Sequence, residues 1–156
     1  MCKVLLTHCT KKKARTTKPL PALQMYKGST FKSINKMFKK KGRPKGLKIK
    51  ILSALYCLID ENQRIKKYNV KFNRKTAEKA RAETTRRLKK MGIAPDEIFV
   101  HLNGVYLSPV SEIKKIFPKA KFIYAKRGKQ ERSLQLKKWF ESLYSPETKI
   151  KKGAKK

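Results

Sequence analysis

One thiol stands where it could react. Cys9 closes the short apolar run "KVLLTH" at residues 3–8 and is followed, after Thr10, by Lys11, Lys12 and Lys13. A cysteine at the carboxyl end of a strand, beside three ammonium groups, could ionise and attack, because neighbouring cations favour the thiolate and open α/β sheets take ligands at that edge. The same lysines could instead hold phosphate, with the cysteine packed beside them as free cysteines commonly are. His8 is the nearest base in sequence, but successive side chains on a strand point to opposite faces. His101, at the end of a later apolar run, is the better partner. The reading adopted is that no residue is catalytic, with Cys9 as the alternative.

Other chemistry is less well supported. Asp60-Glu61 and Asp96-Glu97 are neighbouring acids that flank turns, which suits capping and charge relief better than acid/base work. The sequence has no glycine-rich phosphate loop and no nucleophile elbow, since "GRPKG" is short and follows a helical pattern instead of a strand. Cys2, Cys9 and Cys57 are odd in number and form no C-x-x-C pair, so neither a disulfide partner nor a metal is expected, and no cofactor is implied.

Charge is the outlier. The chain carries 43 Lys and Arg against 10 Asp and Glu, a formal +33, where a small soluble domain is served by about 2–8. Such a chain repels itself until an anionic partner neutralises it. No apolar run approaches the roughly 18 residues of a membrane span, and no signal-peptide or lipidation pattern is visible. A cytoplasmic protein with a nucleic-acid partner and no membrane partner is therefore expected.

The cations recur along the whole chain, which suits a protein surrounded by nucleic acid more than one touching a single duplex. The expected RNA contacts are Lys11, Lys12, Lys13, Arg15 and Lys18 in the first loop, and Lys39, Lys40, Lys41, Arg43 and Lys45 in the second. Further along come Arg64, Lys66, Lys67 and Arg74, then Arg86 and Arg87 on a helix, then Lys126, Arg127 and Lys129, and finally Lys151, Lys152, Lys155 and Lys156. Tyr68, in "RIKKYNVK", is the aromatic expected to stack on an unpaired base.

The elements that must position these residues follow from periodicity. At 156 residues and 39% hydrophobic content, the chain can build one core. Strands are predicted at 3–8, 48–56, 97–102 and 120–125, the second wholly apolar toward its end as in a strand covered on both faces. Helices are predicted from Ser29, with Phe31, Ile34, Met37 and Phe38 on one face, over 76–92 with Thr76 as cap and Gly92 as stop, over 108–117 with Ser108 as cap and Pro109 first, and over 128–144. The segments after Cys9 and after Asp60 read as connections. Strands alternating with helices predict a three-layer, Rossmann-like α/β domain over residues 1–144, with a mostly parallel sheet of about four strands joined by right-handed crossovers. Residues 145–156 form a basic tail with no core-forming pattern.

"HCTKKKA", "LPALQMYKGSTF", "KILSALYCLID", "KYNV", "FVHLNGVYL" and "GKQERSLQLKKWF", in that order over residues 2–143, resemble a small α/β domain of unknown function. That domain is similar to the YaaA peroxide-stress family and, more distantly, to the core domain of archaeosine synthase, a tRNA-modifying enzyme. The resemblance implies a pocket lined or supported by Cys9, Thr10, Lys12, Lys13, Tyr26, Ser29, Phe31, Ser53, Ala54, Tyr56, Leu58, Tyr68, Asn69, Gly104, Tyr106 and Gly128. This chain departs from the pattern in two ways. Cys57 stands where the strand motif has Gly, and the archaeosine-type Pro-Cys becomes His8-Cys9, with Ala14 after Lys13 and no matching downstream His.

Together these readings predict an rRNA-binding component of the ribosome, or a factor bound to it, with rRNA and neighbouring ribosomal proteins as partners and archaea as the suggested source. A tRNA-modification or nucleobase-binding enzyme with Cys9 in its pocket is the first alternative. A non-specific DNA- or RNA-coating protein is the second.

Overall fold

The computed structural model describes residues 2–144, so the tail with Lys151, Lys152, Lys155 and Lys156 lies outside the described residues. The chain runs through β1 (Lys3–His8), β2 (Leu20–Pro21), α1 (Ala22–Met25), α2 (Ser29–Lys41), β3 (Leu47–Ser53), β4 (Cys57–Asp60) and β5 (Arg64–Ile65). It continues with α3 (Arg74–Lys89), β6 (Glu97–Val100), a 3-10 helix (Gly104–Val110), α4 (Ile113–Ile116), β7 (Lys121–Tyr124) and α5 (Lys129–Tyr144). Val4, Leu5, Leu6 and Thr7 of β1 are all buried, because this strand lies mid-sheet with helices on both faces.

The main sheet has five strands in the order β4-β3-β1-β6-β7. Only β4 is antiparallel. On one face Leu5, Ile49 and Phe99 pack under Phe31 and Ile34 of α2 and Leu136, Trp139 and Phe140 of α5. On the other, Val4, Leu6 and Ile98 meet Leu88 of α3, Val110 and Ile113. This is a three-layer α/β arrangement of the Rossmann-like kind. The chain passes from β1 to β3 on one side and only later to β6 on the other, so the sheet's switch point falls between β1 and β6, where such sheets open a crevice at their carboxyl edge.

Two outcomes in the strands differ from expectation, each for a physical reason. The apolar run 48–56 is not one strand. It stops at Ser53, whose Oγ accepts the Leu55 and Tyr56 amides at 3.3 and 3.1 Å, and the chain doubles back as β4. Cys57, at φ 62°, completes the turn in the left-handed region, which explains the Gly of the resembling motif, since Gly alone takes that conformation without steric cost. The supposed connections also pair, β2 with β5, as a two-stranded ribbon that tolerates Pro21 because it lies outside the main sheet.

Helix starts shift too. α3 begins one turn fragment early because Asn73 caps it: the Thr76 amide donates to Asn73 Oδ1 at 3.0 Å while the Asn73 amide donates to Thr76 Oγ1 at 2.7 Å. Thr76 is thus the reciprocal partner in a capping box and not the cap. The predicted 108–117 helix resolves into the 3-10 helix, with Pro109 inside it, and the single turn of α4.

Candidate functional site

Cys9 and His8 leave β1 into two separate arrangements. The first is closed. Cys9 is 6% exposed, and the Ala54 amide, the Tyr68 hydroxyl and the Lys13 charge bear on its thiol. Tyr68 Oη lies 2.9 Å from Ser53 Oγ and 2.8 Å from Tyr26 Oη. Because Ser53 Oγ already accepts two backbone amides, its own proton is the one left for Tyr68. Tyr56 and Tyr26 meet the Tyr68 ring edge-on at 5.5 and 6.4 Å, and Lys13 Nζ sits 4.4 Å above it.

The electrostatics of this cluster oppose a reactive thiolate. Burial pushes the Cys9 thiol above its ordinary value, outweighing the Ala54 amide, the Tyr68 hydroxyl and the Lys13 charge, which all pull it down. The thiol is therefore protonated at neutral pH, and a nucleophile would lack its reactive form. Burial likewise pushes Tyr26 up to about 12 and Tyr68 in the same direction, and it draws Lys13 below its usual range. Tyr68 is half-buried, so a base stacking on its Lys13-covered face would first have to displace that ammonium group.

The second arrangement is open. At the carboxyl ends of β1 and β6, between α2 and α5, lies a cleft of ≈ 900 Å³ lined by His8, Thr10, Gly28, Ser29, Thr30, His101, Asn103, Tyr106 and Arg132. Its floor includes Ile34, Met37, Leu136 and Phe140, and its rims carry Lys36, Lys40, Lys41, Lys129 and Lys137, with Glu141 as the acidic lining residue. Gly28 is needed where the loop after β1 meets α2. Its amide donates to Thr10 Oγ1 at 3.2 Å, and a Cβ there would fall 2.4 Å from Thr10 Cγ2.

His8 and His101 do not serve Cys9. His8 Nδ1 bonds the Cys9 carbonyl oxygen at 2.7 Å while its ring stacks on Tyr106 at 3.9 Å, and His101 Nδ1 contacts Thr7 Oγ1 at 3.4 Å. Both imidazoles are held below the usual histidine range, first by burial, and Arg132 adds its charge against protonation at each. His101 falls to about 4. Both are thus neutral rings at pH 7.

The expected phosphate contacts fall into three groups. Lys11, Lys12, Arg15, Lys18, Lys39, Lys40, Lys41, Lys45, Arg64, Lys66, Lys67, Arg74, Lys126, Arg127 and Lys129 are exposed on several sides of the domain. Arg86 is exposed but pairs with Glu83, whose carboxyl it holds down at about 2, mainly by hydrogen bonding. Arg43 and Arg87 have internal tasks. Arg43 grips the buried Glu61 carboxylate and donates to the Leu47 carbonyl at 2.7 Å, and Arg87 donates to the Tyr56 and Leu58 carbonyls at 2.6 and 2.8 Å.

Sequence reasoning named Ser29, Lys40 and Lys129 of the cleft's walls but missed the others and the cleft they form. Ser29, Ser33, Lys36 and Lys40 on α2, and Lys129, Arg132, Ser133 and Lys137 on α5, line the cleft at helical spacing. Two polar stripes, each beside an apolar stripe, were legible in the sequence. What it could not show is that the two stripes face each other.

No curated protein and no solved structure matches this chain. A family described as being of unknown function, DUF6884, matches residues 4–138. That span runs from β1 into α5 and includes the Cys9 cluster and the cleft lining apart from Phe140 and Glu141, and the chain belongs to DUF6884.

Proposed function

We propose that the protein binds RNA through its phosphate backbone and works as a component of the ribosome or a factor bound to it. One observation carries this reading: a formal +33, with several of the few acids already paired to cations of the same chain. Asp60 pairs with Lys50, Glu61 with Arg43, Glu83 with Arg86 and Arg87, and Glu97 with Lys3 and the Trp139 indole. The exposed lysines of the loops are left to meet an external polyanion. Their spread over several faces favours RNA wrapped around the domain, and the rigid sheet holds them at fixed spacing.

The rival reading, a tRNA-modifying enzyme with Cys9 as its reactive group, is weakened by the protonated, enclosed state of that thiol. Fluorescence anisotropy against an rRNA fragment, a tRNA and duplex DNA over a salt series separates the readings. Backbone binding predicts a linear fall of log affinity with log salt, by about 0.7–0.9 per phosphate neutralised. It also predicts that Cys9→Ala binds RNA as the parent does. Salt-independent binding to tRNA alone would overturn the proposal.

A further inference from the structure

The cleft between α2 and α5 is a groove whose two walls each carry a row of polar and cationic side chains. On α2, Ser29, Ser33, Lys36 and Lys40 fall three or four residues apart and line it, and on α5 Lys129, Ser133 and Lys137 do so at intervals of four. With a rise of about 1.5 Å per residue, Lys36 and Lys40 stand roughly 6 Å apart along their helix, and Lys129 and Lys137 roughly 12 Å along theirs. Arg132 and Lys41 add to the same lining, against one acid, Glu141, among the described residues. Positive charge drawn out in rows suits a chain of phosphates more than one small anion.

Contacts between the helices set the groove's width. The Phe38 and Phe140 rings meet edge-on with centroids 6.0 Å apart, and the Tyr144 hydroxyl donates to the Gly42 carbonyl at 2.6 Å, so α2 and α5 are fastened together at their carboxyl ends. Helices in contact stand about 8–10 Å apart. That slot is narrower than a duplex, whose major groove alone is about 12 Å wide, so one strand enters where two do not. Where β1 ends, the stacked rings of His8 and Tyr106, 3.9 Å apart, line the same groove and supply flat faces for an unpaired base. The floor argues against a peptide. Ile34, Leu136 and Phe140 are buried, and Leu134 is the one exposed large apolar side chain of the lining among the described residues, so an amphipathic helix would find little apolar surface to cover.

We propose that the groove between α2 and α5 holds a segment of single-stranded RNA, its phosphates along the row of Lys36 and Lys40 and the row of Lys129 and Lys137, and a base against the His8 and Tyr106 rings. This rests on the RNA-binding reading and narrows it: the groove takes an unpaired strand, while the cations of the other faces are left to paired RNA.

The test is fluorescence anisotropy on full-length protein freed of RNA in high salt, over a salt series, with a labelled uridine hexamer, a blunt RNA hairpin stem and an oligoglutamate peptide as probes. Two triple variants are compared. Lys36→Ala with Lys40→Ala and Lys137→Ala strips the groove, and Lys75→Ala with Lys79→Ala and Lys89→Ala removes equal charge from exposed positions of α3, on the other face of the sheet. Alanine is the best helix former, so all six exchanges keep the helices intact. The groove variant is expected to bind the hexamer about tenfold or more weakly, with the slope of log affinity against log salt shallower by about 2, which is about 0.7 for each of three single-strand phosphates. The α3 variant is expected to bind the hexamer as wild type does.

Crosslinking of a 4-thiouridine hexamer locates the strand independently, with adducts expected within residues 29–41 and 129–141 and at His8 or Tyr106. Failure of the wild type to bind the hexamer, equal loss in the two variants, or adducts confined to other segments overturns the groove, and salt-dependent binding of the hairpin stem then leaves the RNA reading standing. A hairpin stem that loses as much affinity as the hexamer in the groove variant also overturns it, since the groove then does not select an unpaired strand. Oligoglutamate that binds more tightly than the hexamer, and is lost in the groove variant, overturns it in favour of an acidic protein partner. Wild-type protein that binds neither form of RNA overturns both readings together.

Discussion

Cys9 and His8 leave the same strand one residue apart and enter unlike surroundings. Cys9 turns into a packed knot in which Ser53, Tyr26 and Tyr68 satisfy one another and burial keeps the thiol protonated. His8 turns toward an open, positively rimmed cleft whose lining also takes in Arg132, His101 and the first turn of α2. The residue with the more reactive chemistry is thus the one with the structural task. Reactivity inferred from residue type has to be weighed against desolvation, and here desolvation wins at Cys9.

The contrast is tested first where the closed side should dominate stability. Tyr26 is 1% exposed and anchors the cluster, so Tyr26→Ala should cost about 3–5 kcal/mol in chemical denaturation. A loss under 1 kcal/mol would mean the cluster is loosely packed and open to ligand.

The next effect belongs to the open side. His101 is held at about 4 in the fold, chiefly by burial and then by the charges of His8 and Arg132. Its unfolded value is near 6.5, so the unfolded chain binds the proton first, and stability present above that value is lost as pH falls toward 4. The change amounts to about 3 kcal/mol as an order of magnitude. Denaturation midpoints across this window should show the slope, and His101→Gln should flatten it.

Ser53→Ala removes the acceptor that folds the β3–β4 turn and the donor to Tyr68, at a cost of about 2 kcal/mol. RNA affinity should not change, and a drop in it would join the two regions functionally. The smallest effect is a gain. Cys57→Gly relieves a left-handed residue, which should raise stability by about 1 kcal/mol.

Much of this fold was legible in the sequence. The apolar runs of β1, β3 and β6 and the helical stripes of α2, α3 and α5 follow local rules that periodicity reports directly. The β3–β4 hairpin was hidden because its turn depends on Ser53 Oγ and a positive φ at Cys57, neither of which the unbroken apolar run "ILSALYCLI" reveals. The β2–β5 ribbon was hidden because each strand is only two residues long. Of the site, the cations of the loops were visible by composition. The cleft was not, because it depends on α2 and α5, about 90 residues apart in sequence, lying side by side across the sheet.

The central claim, RNA binding on the ribosome, is tested most directly by sedimenting a native lysate through density gradients at low and high salt and following this protein by immunoblot. The account predicts that it travels with one ribosomal subunit at near-stoichiometric yield and remains there through the high-salt wash. Recovery at the top of the gradient at low salt, unaltered by ribonuclease, would contradict it.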